Sequence, residues 1–259
     1  DPPRPEDVVT SALAAPELGA TVPPEFFDSL TGAGRPLVIA GSGAAHTANR
    51  RQVRRMIEQL NLPVVGSLLG CDLLPAGHPL RVGFHGSYGN RWANYAIGRA
   101  DWLLVVGSRL DIRQTGADTE SFRKDKTIFH VDIDGAEVNN RVPACHWIEG
   151  HVRSFAEAVK GSGFTVADDQ LHPWFEEIRE RRREWPPASE YLSQHGINPC
   201  AFLQDLSRHP GAKTATAWLA DVGQHQMWAA QCLEFGENQR FLTSGGRAAM
   251  GYGLPAAIG

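Results

Sequence analysis

Short apolar runs that alternate with helical stretches constrain the fold of this chain more than any other feature. The first two runs are separated by a polar stretch with Val53, Met56, Ile57 and Leu60 at helical spacing, and helices are also expected over 93–100 and 155–160. Because each run is apolar enough to be buried on both faces, the pattern predicts βαβ units and a parallel sheet. We therefore expect a Rossmann-like α/β central domain over 31–165, with strands at 36–40, 62–66, 102–107 and 127–134.

Three further segments complete the predicted organisation. Residues 1–30 are rich in proline and are interpreted as a linker with one short helix. Residues 166–195 are interpreted as a linker helix region, in which the mixed acids and bases of 176–184 favour a solvated helix face over a phosphate-binding patch. Residues 196–259 are predicted to begin a second α/β unit, with a helix from Asn198, a strand at 214–220 and a helix at 226–233.

Composition excludes several classes of partner. The formal net charge of −4 provides no basic surface for nucleic acid. No apolar run approaches the ~18 residues that indicate a membrane span, and the first residues lack the features of a signal peptide. The cysteines at 71, 145, 200 and 232 are far apart in sequence, which disfavours a zinc site and fits a reduced, cytoplasmic chain.

We predict four glycine-bearing turns, each after a strand. The turns are at 41–43, 67–70, 83–86 and 107–113. Glycine allows backbone amides to approach a phosphate closely, and a following helix N-terminus favours negative charge. Two arginines of the last turn could hold a pyrophosphate bidentately, and two aspartates that end a strand could accept hydrogen bonds from a ribose or adenine. These four residues are Arg109, Arg113, Asp132 and Asp134.

The same residues are also compatible with purely structural roles. The glycines could form ordinary tight turns, His85 could be a turn residue, and Arg109, Asp111 and Arg113 could form a surface ion-pair cluster. The Gly-x-Gly-x-x-Gly fingerprint is absent, which disfavours a nicotinamide dehydrogenase. The residues alone therefore indicate a nucleotide-binding α/β domain.

The stretches 74–94, 100–116 and 130–134 resemble the central domain of the acetolactate synthases, a family of thiamine diphosphate enzymes. In that family the domain binds FAD across these turns, although some relatives bind ADP or no nucleotide. The resemblance implies that the nucleotide is surrounded by Gly41, Ser42, Gly43, Ser67, Leu68, Leu69, Phe84, His85, Gly107, Arg109, Asp111, Arg113, Asp132 and Ile133.

The string DVGQHQMWAAQ, from Asp221 to Gln231, forms a predicted strand-to-helix turn at 223–225. Backbone amides at such a turn, together with the helix dipole, suit a diphosphate; a helix cap with a buried histidine is the alternative. The string resembles the diphosphate turn of acetolactate synthases, and 243–259 resembles the segment that follows it there. The resemblance implies that thiamine diphosphate is held by Val222, Gly223, Gln224, His225, Ala248 and Met250.

Within that set, the resemblance assigns individual roles. The main-chain carbonyl near Ala248 would accept a hydrogen bond from the aminopyrimidine, and Met250 would bend the coenzyme, although core packing is an alternative for a methionine. Arg247 and Ala248 replace the usual Leu-Gly of the family.

The resemblance implies that the intact protein is a carboligase that decarboxylates a 2-keto acid and joins the product to a second carbonyl. It implies thiamine diphosphate, Mg²⁺ and FAD (or ADP) as cofactors and a homodimer or homotetramer as the assembly. Related lyases, hydrolases and sugar-building carboligases, and a non-catalytic nucleotide-binding homologue, are the alternatives.

Two functional parts of the family have no counterpart in these 259 residues. The resemblance places the activating glutamate in a domain before Asp1 and the Mg²⁺-binding motif beyond Gly259. We therefore expect a fragment that contains neither a catalytic residue nor a metal ligand and that is inactive alone.

Overall fold

The computed structural model describes residues 18–187 and 195–259. Six parallel strands form the larger of two sheets, in the order β3-β2-β1-β4-β5-β6. All the carboxyl ends of these strands therefore lie at one edge of the sheet, where ligands bind in open parallel sheets. The strands are β1 (Pro36–Ala40), β2 (Val64–Gly66), β3 (Arg81–Phe84), β4 (Trp102–Val106), β5 (Thr127–Asp132) and β6 (His146–Glu149).

Helices cover both faces of this sheet, because its central strands are apolar at every position. In β1, Val38 and Ala40 belong to one core, while Leu37 and Ile39 belong to the core on the opposite face. The expected α/β fold with a parallel central sheet is confirmed. The helices of this unit are α1 (Pro24–Thr31), α2 (Ser42–Ala45), α3 (Arg50–Leu60), α4 (Arg91–Arg99), α5 (Ile112–Thr115), α6 (Thr119–Arg123), α7 (Val152–Ser162) and α8 (Asp168–Glu184).

Two segments interpreted as linkers in fact pack on the sheet. In α1, which falls within the predicted linker 1–30, the Phe26 ring is fully buried and makes edge contacts with Trp102 and Phe129 at centroid distances of 5.3 and 5.1 Å. In α8, which falls within the predicted linker 166–195, Trp174 is buried and its indole nitrogen donates to the Pro36 carbonyl at 3.0 Å. The opposite face of α8 bears the expected solvated charges, including the Arg179–Glu176 ion pair. Residues 1–17 and 188–194 of the predicted linkers lie outside the described residues.

The end of β5 also differs from the predicted strand 127–134. The strand stops at Asp132, whose side chain accepts a hydrogen bond from the Asp134 amide at 3.0 Å. Asp134 therefore lies in a turn and does not share a strand face with Asp132. The adjacent β6 is an edge strand in which only Ile148 is buried, so its sequence carries too little apolar character to predict a strand.

The second unit contains two parallel strands and four helices, as expected for the start of another α/β domain. The Asn198 side chain caps its first helix by accepting from the amides of Cys200 and Ala201, both at 3.0 Å. No helix in 18–187 or 195–259 combines the length and the apolarity needed to cross a bilayer. The elements are α9 (Pro199–Arg208), α10 (Pro210–Lys213), β7 (Ala217–Ala220), α11 (Gln224–Cys232), β8 (Arg240–Thr243) and α12 (Gly253–Ile258).

The expectation of four reduced cysteines is wrong for one pair. Cys200 of α9 and Cys232 of α11 form a disulfide, with 5.2 Å between their Cα atoms. The two helices pack side by side, so residues 32 positions apart in sequence meet in the fold. Cys71 and Cys145 are free and buried. Spacing in sequence cannot predict such a pair, because helix packing creates it.

Candidate functional site

The turns after β1, β2, β3 and β4 line one cavity at the carboxyl edge of the larger sheet, which we call the edge cavity. Met227, Gly245 and Gly246 of the second unit close its far side. Most of the residues that the resemblance places around a nucleotide therefore come together here. Those that line the edge cavity are Ser42, Ser67, Leu68, Leu69, Phe84, His85, Arg109, Asp111 and Arg113.

The predicted glycines 41, 43 and 107 support the cavity without lining it. A Cβ atom on Gly41 would lie 2.0 Å from the Gly107 carbonyl oxygen, and Gly107 itself has a φ of +55°. Only glycine allows these two turns to cross at this distance. The close approach gives both glycines a structural role, and their place beside a nucleotide stays a prediction.

Asp132 and Ile133 are not brought into this cavity. The Asp132 carboxylate accepts from the backbone of its own turn, and the Ile133 side chain is half exposed. The first four strands, but not β5, therefore supply the predicted residues that meet at the edge cavity.

His85 is the most informative side chain of the edge cavity. It is 1% exposed, and neither ring nitrogen has a hydrogen-bond partner among the described residues. Burial lowers the pKa of His85 to about 4, so the ring is neutral near pH 7, with one nitrogen able to donate and the other to accept. Buried polar groups are nearly always paired in native proteins, so an unpaired imidazole at a cavity wall fits a polar ligand.

The arginines of the cavity have unequal surroundings. Asp111 caps helix α5 by accepting from the amides of Arg113 and Gln114, at 3.0 and 3.2 Å. Its other oxygen lies 3.5 Å from the guanidinium of Arg109, whose side chain is half exposed. The ion-pair interpretation is therefore right for Arg109 and Asp111, and such an exposed pair contributes little to stability. Arg113 lines both the edge cavity and a neighbouring cleft.

This second cleft includes the turn between β7 and α11. Three predicted residues of that turn, Val222, Gly223 and Gln224, line it together with Ala248. Gly223 has a φ of +156°, and a Cβ atom there would lie 2.9 Å from the His225 ring. The turn therefore requires glycine and presents the N-terminal backbone of a nine-residue helix to the cleft.

Two predicted thiamine-site residues do not line this cleft. His225 is exposed, so the alternative of a buried capping histidine is wrong. Met250 is 84% exposed, so core packing does not explain it either. Both lie next to residues that do line the cleft, His225 after Gln224 and Met250 two positions after Ala248.

Asp221 joins these two regions, and sequence reasoning missed its role. Its carboxylate accepts from the amides of Val222 at 2.7 Å and of Gly251 and Gly253, both at 2.9 Å. These backbone donors, Gly253 foremost, hold the pKa of Asp221 below its usual range. The turn 222–224 and the Met250 segment are therefore neighbours. An aspartate at the end of a strand, before a glycine turn, was the available sequence signal.

Ala248 adopts a backbone conformation that alanine rarely takes. Its φ is +51°, and its amide donates to the Ser244 carbonyl at 3.0 Å. L-residues with a side chain are disfavoured in this left-handed region. The position where this chain departs from the usual Leu-Gly thus has the geometry of a glycine.

The described residues offer no metal site near these two clefts. Within 18–187 and 195–259, no group of three or more His, Cys, Asp or Glu side chains could hold a metal ion. Gly259, beyond which the Mg²⁺ motif is expected, follows α12, and its amide donates to the Pro255 carbonyl at 3.2 Å. Gly259 has no side chain that could bind a metal. The location of the motif stays a prediction.

Comparisons with known proteins agree with this arrangement. The family model described as "Thiamine pyrophosphate enzyme, central domain" matches residues 25–159, and the one described as "Thiamine pyrophosphate enzyme, C-terminal TPP binding domain" matches residues 221–259. The chain is similar to acetolactate synthase isozyme 1 large subunit of Escherichia coli, with 36% identity over 236 residues, which cover 89% of this chain and 39% of that relative.

Similarity extends to plant and archaeal proteins. Acetolactate synthase 1, chloroplastic, of Zea mays is 34% identical over 229 residues, 87% of this chain and 35% of the relative. The probable acetolactate synthase large subunit of Methanocaldococcus jannaschii is 32% identical over 229 residues, 87% of this chain and 38% of the relative. The chain thus spans less than half the length of these relatives. By its matched domains, the chain belongs to the thiamine pyrophosphate enzymes.

Proposed function

We propose that this chain forms the nucleotide-binding central domain and the diphosphate turn of a thiamine diphosphate-dependent carboligase of the acetolactate synthase type. The Asp221 carboxylate is the observation that carries the proposal. It joins the turn 222–224 to the segment that carries Met250, which supports a coenzyme site formed by both predicted parts. The relatives named acetolactate synthase support 2-keto acids as the substrates of the intact protein.

The residues of the second cleft fit a thiamine diphosphate. Backbone amides of Gly223, Gln224 and His225, at the positive end of α11, would bind the diphosphate. The Ala248 carbonyl would accept from the aminopyrimidine amino group, and the Met250 side chain would contact the rings. When bound, the cofactor supplies a thiazolium that stabilises a carbanion, and the protein supplies position and electrostatics. Mg²⁺ would neutralise the diphosphate, and we assign it no ligand among the described residues.

The edge cavity fits the nucleotide part of FAD, or ADP in its place. The unpaired ring nitrogens of His85 would make one donated and one accepted hydrogen bond to the ligand. The guanidinium of Arg113 would bind the pyrophosphate, as an arginine does bidentately. The location at the carboxyl edge of a parallel sheet, between the turns of neighbouring strands, supports this assignment.

Carboligation would need more than the described residues provide. The described lining of the second cleft contains no carboxylate, so these residues bring no acid to protonate an aminopyrimidine there. We therefore infer that the 259-residue chain alone binds cofactors but does not form acetolactate. We also infer a homodimer or homotetramer for the intact protein, on the strength of its resemblance to the acetolactate synthase family.

The test titrates the 259-residue chain with thiamine diphosphate and Mg²⁺ and follows the tryptophan fluorescence, to which Trp228 of the second cleft contributes. We expect saturable quenching that Gly223→Ala abolishes. Gly161→Ala serves as the control, because a Cβ atom there meets nothing within 4 Å. Pyruvate is then offered to the chain and to the full-length enzyme that contains it, with acetolactate as the measured product. An absence of binding in the wild-type chain, or acetolactate formation by the chain alone, would contradict the proposal.

A further inference from the structure

A buried carboxylate links the two units next to the edge cavity. Asp72, in the loop after β2, is 1% exposed. One of its oxygens lies 3.0 Å from the Arg240 Nε, 3.0 Å from the Phe241 amide nitrogen and 3.1 Å from an Arg50 guanidinium nitrogen. Arg50 belongs to α3 of the first unit, whereas Arg240 and Phe241 begin β8 of the second. The carboxylate therefore contacts three donor groups from both sides of the boundary: it accepts hydrogen bonds from Arg240 and Phe241 and forms an ion pair with Arg50.

The segments that Asp72 joins are the two facing walls of the edge cavity. Its own loop carries Ser67, Leu68 and Leu69, and β8 leads directly to Gly245 and Gly246. The two walls touch, because a Cβ atom on Gly245 would lie 2.9 Å from the Leu69 side chain. The distance between the walls thus depends on the contacts that hold β8 against the loop after β2.

Further contacts around Asp72 fix the positions of the two arginines that it binds. Arg50 also donates to the Asp72 carbonyl, and Arg240 donates to the Thr47 hydroxyl at 2.7 Å, so both guanidinium groups are held in place. Replacing a buried charged partner leaves the remaining charges uncompensated, and such changes are more disruptive than the loss of an exposed pair. Several donors around one buried carboxylate also restrict the positions of the segments that carry them.

We propose that Asp72 is a positioning residue that sets the spacing between the two walls of the edge cavity and thereby the affinity of the cavity for a flavin nucleotide. The inference rests on the proposed function, in which that cavity binds the nucleotide. Asp72 does not line the cavity, so its effect would pass through Leu69 on one side and Gly245 on the other.

The experiment compares FAD binding by the 259-residue chain and by Asp72→Asn, with flavin fluorescence as the signal for both the Kd and the dissociation rate. Circular dichroism verifies at the measuring temperature that each protein is folded. We expect Asp72→Asn to raise the Kd about tenfold, mainly through faster dissociation. Amide hydrogen exchange should increase in 67–73 and 241–246. A role in stability alone would leave the Kd of the folded protein unchanged.

Glu237→Gln is the matched control at the same boundary. Glu237 pairs with Arg54 across the two units, but its side chain is 65% exposed. Because exposed pairs contribute little, we expect its Kd for FAD to stay within about twofold of the wild-type value. If Asp72→Asn does not fold, Arg240→Gln removes one of the three donors and should weaken binding in the same direction.

The outcomes separate the two proposals. If the wild-type chain does not bind FAD, the nucleotide assignment of the edge cavity is wrong. If the wild-type chain binds FAD and both Asp72→Asn and Arg240→Gln bind it with wild-type Kd and dissociation rate, only the role of Asp72 is wrong.

Discussion

The carboxylate of Asp221 accepts a hydrogen bond from the backbone amide of Gly253 at 2.9 Å. This bond joins Asp221, the residue between β7 and the turn 222–224, to the first residue of the last helix, 32 positions later. The second cleft is therefore shaped by a tertiary contact between two segments that are separate in sequence.

Removing the charge of Asp221 should loosen the Met250 segment. In Asp221→Asn, one amide group replaces an oxygen that accepts from Gly251 or Gly253, so we expect faster amide hydrogen exchange at both glycines. Asp118→Asn, which alters a helix cap far from the cleft, should leave that exchange unchanged. Equal exchange rates at residues 251 and 253 in wild type and Asp221→Asn would contradict this account.

The same contact should respond to acid. Backbone donors lower the pKa of Asp221, so its hydrogen bonds contribute fully above the ordinary value of 3.8 and are lost as pH falls through the lowered folded pKa. We expect amide exchange at Gly251 and Gly253, corrected for the intrinsic pH dependence, to rise only in that acid range. A rise in exchange that begins near neutral pH would show that a group other than Asp221 controls the protection of these two amides.

Ala248→Gly should stabilise the protein, because a glycine relieves the left-handed conformation at φ +51°. The relief of about 1 kcal/mol is partly offset by the larger entropy of glycine in the unfolded chain, so a net gain of about 0.5 kcal/mol is expected. Ala249→Gly is the matched control and should destabilise by a similar amount. Urea denaturation measures both free energies of unfolding, and a loss of stability in Ala248→Gly would show that the left-handed conformation carries no strain.

The free energy of unfolding should depend on His85 in mild acid. Burial places its folded pKa at about 4, below the ordinary 6.5, so stability is full above 6.5 and declines as pH falls towards 4. This difference between the folded and the ordinary pKa corresponds to about 3 kcal/mol in the free energy of unfolding. Urea denaturation between these pH values should show the decline, and His85→Gln should reduce its slope. Burial also lowers the pKa of His130, so part of the slope should remain. A His85→Gln profile parallel to that of the wild type would contradict the assignment.

The Cys200–Cys232 pair predicts a defined thiol count and a stability change. After denaturation without reductant, two thiols should react with a thiol reagent, those of Cys71 and Cys145. Reduction, or the Cys200→Ser/Cys232→Ser double substitution, should lower the free energy of unfolding by about 3 kcal/mol, because the bond closes a long loop in the unfolded chain. Four reactive thiols in the unreduced protein would show that the pair is not formed.

Sequence predicted four of the six strands of the larger sheet, namely β1, β2, β4 and β5, but neither β3 nor β6. The continuous apolar runs at β1 and β4 bury both faces, and no other arrangement satisfies them as well as a parallel sheet under two helical layers. Turns that follow neighbouring parallel strands must meet at one edge. The resemblance to the acetolactate synthase family, and not geometry alone, placed Ser67 and His85 at one nucleotide site, and both line the edge cavity.

Tertiary contacts account for what the sequence could not predict. The prolines of the first thirty residues obscured the four-residue spacing of Phe26 and Leu30, by which α1 packs on the sheet. The bond from Arg240 to Asp72 joins residues 168 positions apart, and no local pattern marks either of them. Asp132 and Ile133 do not line the edge cavity, and their place beside a nucleotide stays a prediction.

The contact between Leu69 and Gly245 has a consequence for protein engineering. A chimera that takes its first sheet from this chain and its second sheet from a relative would bring Leu69 against a foreign residue. Any side chain at position 245 would collide with the Leu69 side chain unless that side chain moved. Grafts across this boundary should therefore transfer both facing loops together, as one exchangeable block.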